Sequence, residues 1–440
     1  MKKDRAVFNS IFYNVSVILV SSVSFSCIDT EARSADLFPS RIPDRIILNL
    51  TADPSHSMAV NWRTDTTVTS SMAQIAFTDP GPDFTATAQT FEAETEKMVS
   101  QKHADEPRIA ALYHSVTFTA LIPGTSYLYR VGDGDQWSEW LQFRTAGDTA
   151  GTFSFIYFGD AQNNIKSMWS RVIRQAYATC PDAAFTLYAG DLVNQSGSDR
   201  QWDEWFYGGS FIHAMVPSVM APGNHEYRGA EKLDPHWRAQ FNLPKNGPRG
   251  LDEVCYAVDY QNLRIISLDT EMIDKIKTFE KEQRVWLDSV LADNPMKWTV
   301  VTFHHPIFST KPDRDNKKLR ARFRPILEKH GVDLVLQGHD HAYGRGLKNI
   351  KSAIGKGESS GTMYVVSVSG PKMYDLSDRS WMSRRARMTQ MYQVVTIDGD
   401  TLNFKAYTAS GDLYDEFELV KKENGVNQLI DKIPGIPERL

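Results

Sequence analysis

The chain has 440 residues, 41% of them hydrophobic and 23% charged, with a formal net charge of -5. At roughly 100–200 residues per domain, that length fits two or three domains and supplies enough apolar material for a large core. With no basic excess, general nucleic-acid binding has no electrostatic support and no nucleic acid partner is expected. A small anionic substrate stays compatible with the charge, because a bound metal can supply the positive field.

Lys2, Lys3 and Arg5 precede a short, mostly apolar or small-residue run from Ile11 to Phe25, which ends in Ser-Phe-Ser-Cys. The run is too short for a good membrane span, so residues 1–35 are expected to be a signal peptide or lipoprotein leader. Ser24-Phe25-Ser26 before Cys27, with Asp29 and Glu31 after it, resembles the lipoprotein signal of Bacteroidetes-type surface proteins. That resemblance implies lipidation at Cys27, membrane attachment through that anchor alone, and a periplasmic or outer-surface location. Ordinary cleavage nearby would instead give a secreted protein. The remaining cysteines, Cys180 and Cys255, make neither a disulfide framework nor a zinc motif, and can pair or simply be buried.

Residues 41–146 read as all-β. Arg45–Leu50, Met58–Arg63, Met72–Phe77, Tyr113–Leu121, Tyr127–Gly132 and Trp137–Arg144 are short, partly alternating runs separated by turn residues. Leu121-Ile-Pro-Gly-Thr-Ser-Tyr127-Leu-Tyr129 is a Pro-Gly corner followed by an alternating strand. It resembles the corner of fibronectin type III domains at which a tyrosine hydroxyl bonds back to the backbone. Trp62 fits the core of such a sandwich. The polar, Gly-containing stretch Thr145-Ala-Gly-Asp-Thr-Ala-Gly151 marks a boundary.

Residues 151–422 follow a different pattern. Compact apolar runs at Phe153–Phe158, Ala184–Ala189, Val216–Ala221, Leu263–Leu268, Lys297–Phe303, Val332–Leu336 and Met363–Val368 alternate with helical stretches at 165–179, 201–213, 280–292 and 317–330. Near-continuous apolar strands between helices indicate sheets covered by helices. Residues 391–421 return to strand-like alternation and close a second sheet. Residues 423–440 read as a polar, surface-lying C-terminal tail.

Polar residues stand where these buried strands end: Gly159-Asp160, Gly190-Asp191, Gly223-Asn224-His225-Glu226, His304-His305 and Gly338-His339-Asp340-His341. In α/β sheets, ligands bind beyond the carboxyl ends of strands, so these ends are expected to converge. Carboxylates gathered in a low-dielectric crevice repel and raise one another's pKa, and divalent cations relieve that repulsion. A mixed Asp, Asn and His set suits first-row ions such as Mn, Fe, Co or Zn better than Ca. Two such ions can share one carboxylate, deprotonate a bridging water and hold both oxygens of an in-line phosphoryl displacement.

The order GD…GD…GNHE…VxxH…GHxH resembles that of the calcineurin-like metallophosphoesterases. The preceding β-domain, with Leu268-Asp269-Thr270 and Gly338–Arg345, makes the chain similar to the purple acid phosphatase branch. The resemblance implies an α/β (α+β) four-layer sandwich of two mixed sheets flanked by helices, preceded by a fibronectin type III-like sandwich. It implies that Asp160 and His341 bind one metal, that Asn224, His304 and His339 bind a second, and that Asp191 bridges both. It places His225 beside the substrate as hydrogen-bond donor or acid, with Glu226 orienting its imidazole. His305 either lines the pocket or is structural, and Asp340 reads as a turn residue.

Two departures from the family pattern stand out. The purple branch has Gly-Asp-x-x-Tyr, whose phenolate binds Fe(III) and colours the protein, where this chain has Asn194. Other branches have Asp-x-His where it has Gln162. The amide oxygens of Gln162 and Asn194 are expected to fill the gap, giving a colourless enzyme with two divalent Mn, Fe or Zn ions. In the loops after the GNHE turn and after His304, cations such as Arg314 can bind a second phosphate or a leaving group. The expected function is phosphomonoester hydrolysis on a small phosphorylated substrate. A phosphodiesterase or nucleotide pyrophosphatase and a non-catalytic surface-binding lipoprotein are the alternatives.

Overall fold

The computed structural model describes residues 37–100, 107–229, 232–348, 361–423 and 425–440. The expected leader and Cys27 lie outside the described residues. The N-terminal strands are β1 (Asp44–Asn49), β2 (Met58–Thr64), β3 (Met72–Phe77), β4 (Gln89–Glu92), β5 (Glu94–Ser100), β6 (Ile109–Phe118), β7 (Ser126–Gly132) and β8 (Leu141–Arg144). β4-β3-β7-β8 form an antiparallel sheet facing β1, β2, β6 and β5, and Trp62, Ile75, Phe118, Tyr129 and Phe143 fill the core between them. At the Pro-Gly corner the Ile122 N–H donates to the Tyr127 hydroxyl at 2.8 Å, which is the side chain-to-backbone bond expected there. β4 and β5 carry no apolar alternation that would announce them. Most of their residues are exposed, and pairing with β3 and β6 makes them strands.

The C-terminal strands are β9 (Phe153–Phe158), β10 (Thr186–Tyr188), β11 (Ser218–Met220), β12 (Tyr227–Arg228), β13 (Lys232–Leu233), β14 (Tyr256–Tyr260), β15 (Leu263–Ser267) and β16 (Trp298–Thr302). They continue with β17 (Leu334–Gln337), β18 (Tyr343–Lys348), β19 (Thr362–Val366), β20 (Arg384–Ala386), β21 (Met391–Asp398), β22 (Thr401–Thr408), β23 (Leu413–Lys421) and β24 (Asn427–Asp431). β9, β10 and β11 run parallel in one sheet, and β15, β16, β17 and β19 run parallel in a second. The helices are α1 (Ser170–Thr179), α2 (Asp199–Gly209), α3 (Phe211–Met215), α4 (Pro235–Gln240), α5 (Thr270–Lys275), α6 (Lys277–Ala292) and α7 (Lys317–Lys329). Helices and both sheets bury their apolar residues in one cluster that includes Phe158, Trp169, Trp205, Leu287, Phe323 and Val335.

Four features depart from the sequence expectation. Residues 391–421 do not close the second sheet: β21 pairs antiparallel with β9, so β21, β22 and β23 extend the first. The stretch 201–213 is not one helix but two, broken at Ser210, whose φ of 43° is incompatible with continuing a right-handed helix. The tail after 423 is not merely a surface extension. β24 pairs with β23, and Arg439 bridges to Ala386. A half-exposed edge strand needs no apolar pattern, so its sequence does not show it. Finally, β1 pairs in parallel with β11 through Asn49 and Ser218, so the N-terminal sandwich and the later strands share one eleven-stranded sheet despite the linker-like stretch between them.

Cys180 and Cys255 are both free thiols, so they form no disulfide with each other. Among the described residues, no helix is long and apolar enough to cross a membrane.

Candidate metal centre

The strand ends expected to carry donors bring those residues together. Asp160 follows β9, Asp191 follows β10, Asn224 follows β11, His304 follows β16, and His339 and His341 follow β17. Parallel strands of two facing sheets release the chain at the same rim, which is why residues as far apart in sequence as Asp160 and His341 meet. Small residues let them approach. A Cβ at Gly223 would stand 2.1 Å from Asp191 Oδ1, and one at Gly338 would stand 2.2 Å from Asp160 Oδ1. Asp191, His339 and His341 adopt positive φ of 53°, 73° and 38°, a conformation that L-residues keep only where the surroundings hold it.

The donors fall into two groups that share one residue. Single ligand atoms of Asp191, His304 and His339 all lie within 4.8 Å of one another, and so do those of Asp160, Asp191 and His341. In the first group His304 Nε2 is 3.2 Å from Asp191 Oδ2, 3.2 Å from Asn224 Oδ1 and 3.1 Å from His339 Nδ1. In the second, His341 Nε2 is 2.8 Å from Asp160 Oδ2. Backbone carbonyls set the tautomers. His304 Nδ1 bonds to the Ala189 carbonyl at 2.8 Å and His341 Nδ1 to the Lys372 carbonyl at 2.9 Å, so both Nε2 atoms turn inward.

Electrostatics bind the cluster further. Burial pushes the Asp191 carboxyl up, but the charge and hydrogen bond of His304, then His225, outweigh it and hold Asp191 well below the usual range. Burial works against a charged His304, yet the Asp191 and Asp160 carboxylates raise it to about 10.

Gln162 lies in the second group as expected. Its Nε2 is 2.8 Å from Asp191 Oδ2, 3.4 Å from Asp160 Oδ2 and 3.0 Å from His341 Nε2, while its buried Oε1 has no hydrogen-bond partner. Turning the amide by 180° exchanges those atoms and aims the oxygen at the cluster. Asn194 contributes differently from the expectation. Its backbone carbonyl accepts from His225 Nδ1 at 2.6 Å, and this contact orients the imidazole. The His225 side chain is 28% exposed, with Nε2 3.9 Å from Asp191 Oδ2.

Glu226 does not orient that imidazole. Its carboxylate is fully buried and accepts the backbone N–H groups of Asp191, Leu192 and Gly223 at 2.8, 2.9 and 2.7 Å. Burial, then the Asp191 charge, pushes it up to about 8. Asp340 is likewise more than a turn residue. It is buried, accepts from Ser309 Oγ at 2.6 Å and Thr310 N at 2.7 Å, and pairs with Arg314. Arg314, expected at the substrate, also donates to the His339 carbonyl at 3.1 Å, so its guanidinium ties its loop to the donor turn. His305 is half-buried, bonds to Thr270 Oγ1 at 2.9 Å, and lies 4.3 Å from the His339 ring, centroid to centroid. Burial, then His304, lowers it to about 3. No motif in the sequence singles out Tyr374, yet its ring stacks on His341 at 4.3 Å and 16°.

Carboxylate, amide and imidazole donors converging on two adjoining points, with a shared aspartate, fit a pair of divalent metal ions, which the fold family also implies. The fold and this donor set define a phosphoesterase of the metal-dependent class. Residues 43–145 match the family model "Purple acid Phosphatase, N-terminal domain" and residues 153–343 match "Calcineurin-like phosphoesterase". The chain therefore carries a calcineurin-like phosphoesterase domain behind a purple acid phosphatase-type N-terminal domain, and is a phosphatase-type hydrolase.

Relatives agree with that placement. Human acid phosphatase type 7 is 27% identical over 333 residues, which cover 70% of this chain and 71% of the human protein. The zebrafish (Danio rerio) acid phosphatase type 7 is 29% identical over 262 residues, covering 53% of this chain and 57% of that protein. Among solved structures, a purple acid phosphatase from yellow lupin seeds matches with a TM-score of 0.69 at 16% identity, over 88% of this chain and 75% of the other. That likeness shows the fold.

Proposed function

We propose that this protein is a phosphomonoesterase working with two divalent metal ions. Asp160, His341 and Gln162 would hold one, Asn224, His304 and His339 the other, and Asp191 both. What carries this reading is Asp191, whose carboxylate alone belongs to both donor groups. The bound pair would supply Lewis acidity toward a phosphoryl oxygen and a nucleophile near neutral pH. The chain's own residues do the rest. Glu226 pins the turn bearing Asp191, and the Asn194 carbonyl holds His225 so that Nε2 points toward the cluster. From there, His225 would bond to a phosphoryl oxygen or protonate the leaving alkoxide.

The absence of a tyrosine at Asn194 favours divalent ions over Fe(III) and a colourless protein. The test is a panel on metal-stripped protein reconstituted with Mn, Fe or Zn singly, using nitrophenyl phosphate and its bis ester. Faster turnover of the monoester with no visible charge-transfer band is expected. A preference for the bis ester would convert the reading to a phosphodiesterase, and metal-independent turnover would overturn it.

A further inference from the structure

We propose that Lys311 and Lys372, both set against the ring of Tyr374, form a subsite for a second phosphate, so that esters whose leaving group carries another phosphate are preferred. The inference rests on the phosphoester-hydrolase reading above and adds the substrate class.

The segment bearing two of these residues is clamped to the metal centre from both sides. The Lys372 carbonyl accepts from His341 Nδ1 at 2.9 Å, and the Tyr374 N–H donates to the His341 carbonyl at 3.2 Å. The Tyr374 ring lies flat on the His341 imidazole. Lys311 is held separately, its backbone N–H donating to Ser309 Oγ at 3.1 Å. Its Nζ sits 4.6 Å from the Tyr374 centroid, and Lys372 Nζ sits 5.7 Å from the same point.

Two ammonium groups thus approach one half-buried ring. Among the described residues, neither has a carboxylate within ion-pair distance. The carboxylates of the same loops are paired elsewhere or exposed. Asp340 pairs with Arg314, Asp378 pairs with Arg385, and Asp313 and Asp375 are exposed. The Arg314 guanidinium, 5.9 Å from the Tyr374 centroid, adds to the positive field.

Cation–π attraction of about 0.5–1 kcal/mol at such sites does not by itself explain why like charges are gathered there. An anion does. Lysine ammonium groups, as rotatable point charges, accept phosphates in varied orientations. The subsite adjoins His341, while His225 adjoins Asn224. A substrate with two phosphates can therefore span the cluster.

The test uses the metal-loaded full chain and a matched pair, fructose 6-phosphate and fructose 1,6-bisphosphate, with phosphate release as readout. The wild type is expected to favour the bisphosphate by about tenfold or more in kcat/KM, mainly through KM, with the preference shrinking at high salt. In a Lys311→Gln, Lys372→Gln double variant the ratio should fall toward one, while Lys→Arg at both positions should restore part of it. Should the double variant not fold, each single Lys→Gln change is expected to lower the ratio. A wild-type ratio near one, or a ratio untouched by the substitutions, overturns the subsite alone. No release from either ester overturns the hydrolase reading beneath it.

Discussion

The carboxylate of Glu226 accepts the backbone N–H of Asp191 at 2.8 Å, so the residue that follows His225 in sequence acts on the turn bearing the shared aspartate. Removing that carboxylate leaves three buried N–H groups without an acceptor, those of Asp191, Leu192 and Gly223. Glu226→Ala is expected to cost on the order of 3 kcal/mol of stability, with loss of activity in parallel. Glu226→Gln should do nearly as badly, because an amide N–H₂ would face N–H donors. Denaturant unfolding and initial rates decide. A Glu226→Gln protein of full stability with a shifted pH–rate profile would show instead that Glu226 acts on the His225 proton.

Asn224 Oδ1, 3.2 Å from His304 Nε2, completes the group shared with His339 and Asp191. Asn224→Ala should lower bound metal from about two ions per chain toward one and cut the rate by more than about 100-fold, beyond what loss of an outer partner causes. Elemental analysis of the purified variant measures the first and phosphate release the second. Equal rates in variant and wild type would remove this residue from the site.

Gln162 tests the other half. With its amide oxygen turned to the cluster, Gln162→Ala should weaken metal binding there by about 10–100-fold while the second ion is retained, and Gln162→Glu should preserve both ions. Titrating metal back into stripped protein, followed by calorimetry, reads the two affinities. An unchanged pair of affinities in Gln162→Ala would leave the amide a structural filler.

Acid sensitivity should come partly from a histidine outside the donor cluster. His213 is buried against Trp205 at 4.0 Å, and burial lowers it to about 3, with the Trp205 carbonyl a smaller opposing influence. A histidine lowered in the fold binds fewer protons there than when unfolded. Its stabilisation is therefore complete above the ordinary value of 6.5 and declines as pH falls toward about 3. The slope is about 1.4 kcal/mol per pH unit. His213→Phe should flatten the loss of Tm between pH 6 and 4, and a slope equal to the wild type's would show that other groups govern it.

Much of the site is legible in the amino-acid sequence. Asp160, Asp191, Asn224, His304, His339 and His341 can be read there because each follows an apolar run, and such a run can only end at a rim. β5 and β24 cannot, because edge strands held by pairing need no apolar period. For Glu226, adjacency to His225 suggests a contact that does not form, because consecutive side chains in the short 3₁₀ turn Asn224–Glu226 point in different directions. The stack of Tyr374 on His341 joins a loop to a strand end and leaves no local signature.

The donor inventory, its order and its chemistry are determined by the amino-acid sequence alone, since residue type sets which atoms can bind a cation. The fold gathers those donors into two adjoining groups. The shared place of Asp191, which the resemblance implies, reappears in the structure as one carboxylate common to both donor groups. Only the tertiary structure decided that a carbonyl of Asn194 and not Glu226 aims His225, and that the N-terminal sandwich shares a sheet with the later strands. Those are distances between backbones far apart in the chain. They depend on how closely Gly223 and Gly338 let two sheets' rims approach, which no local pattern encodes.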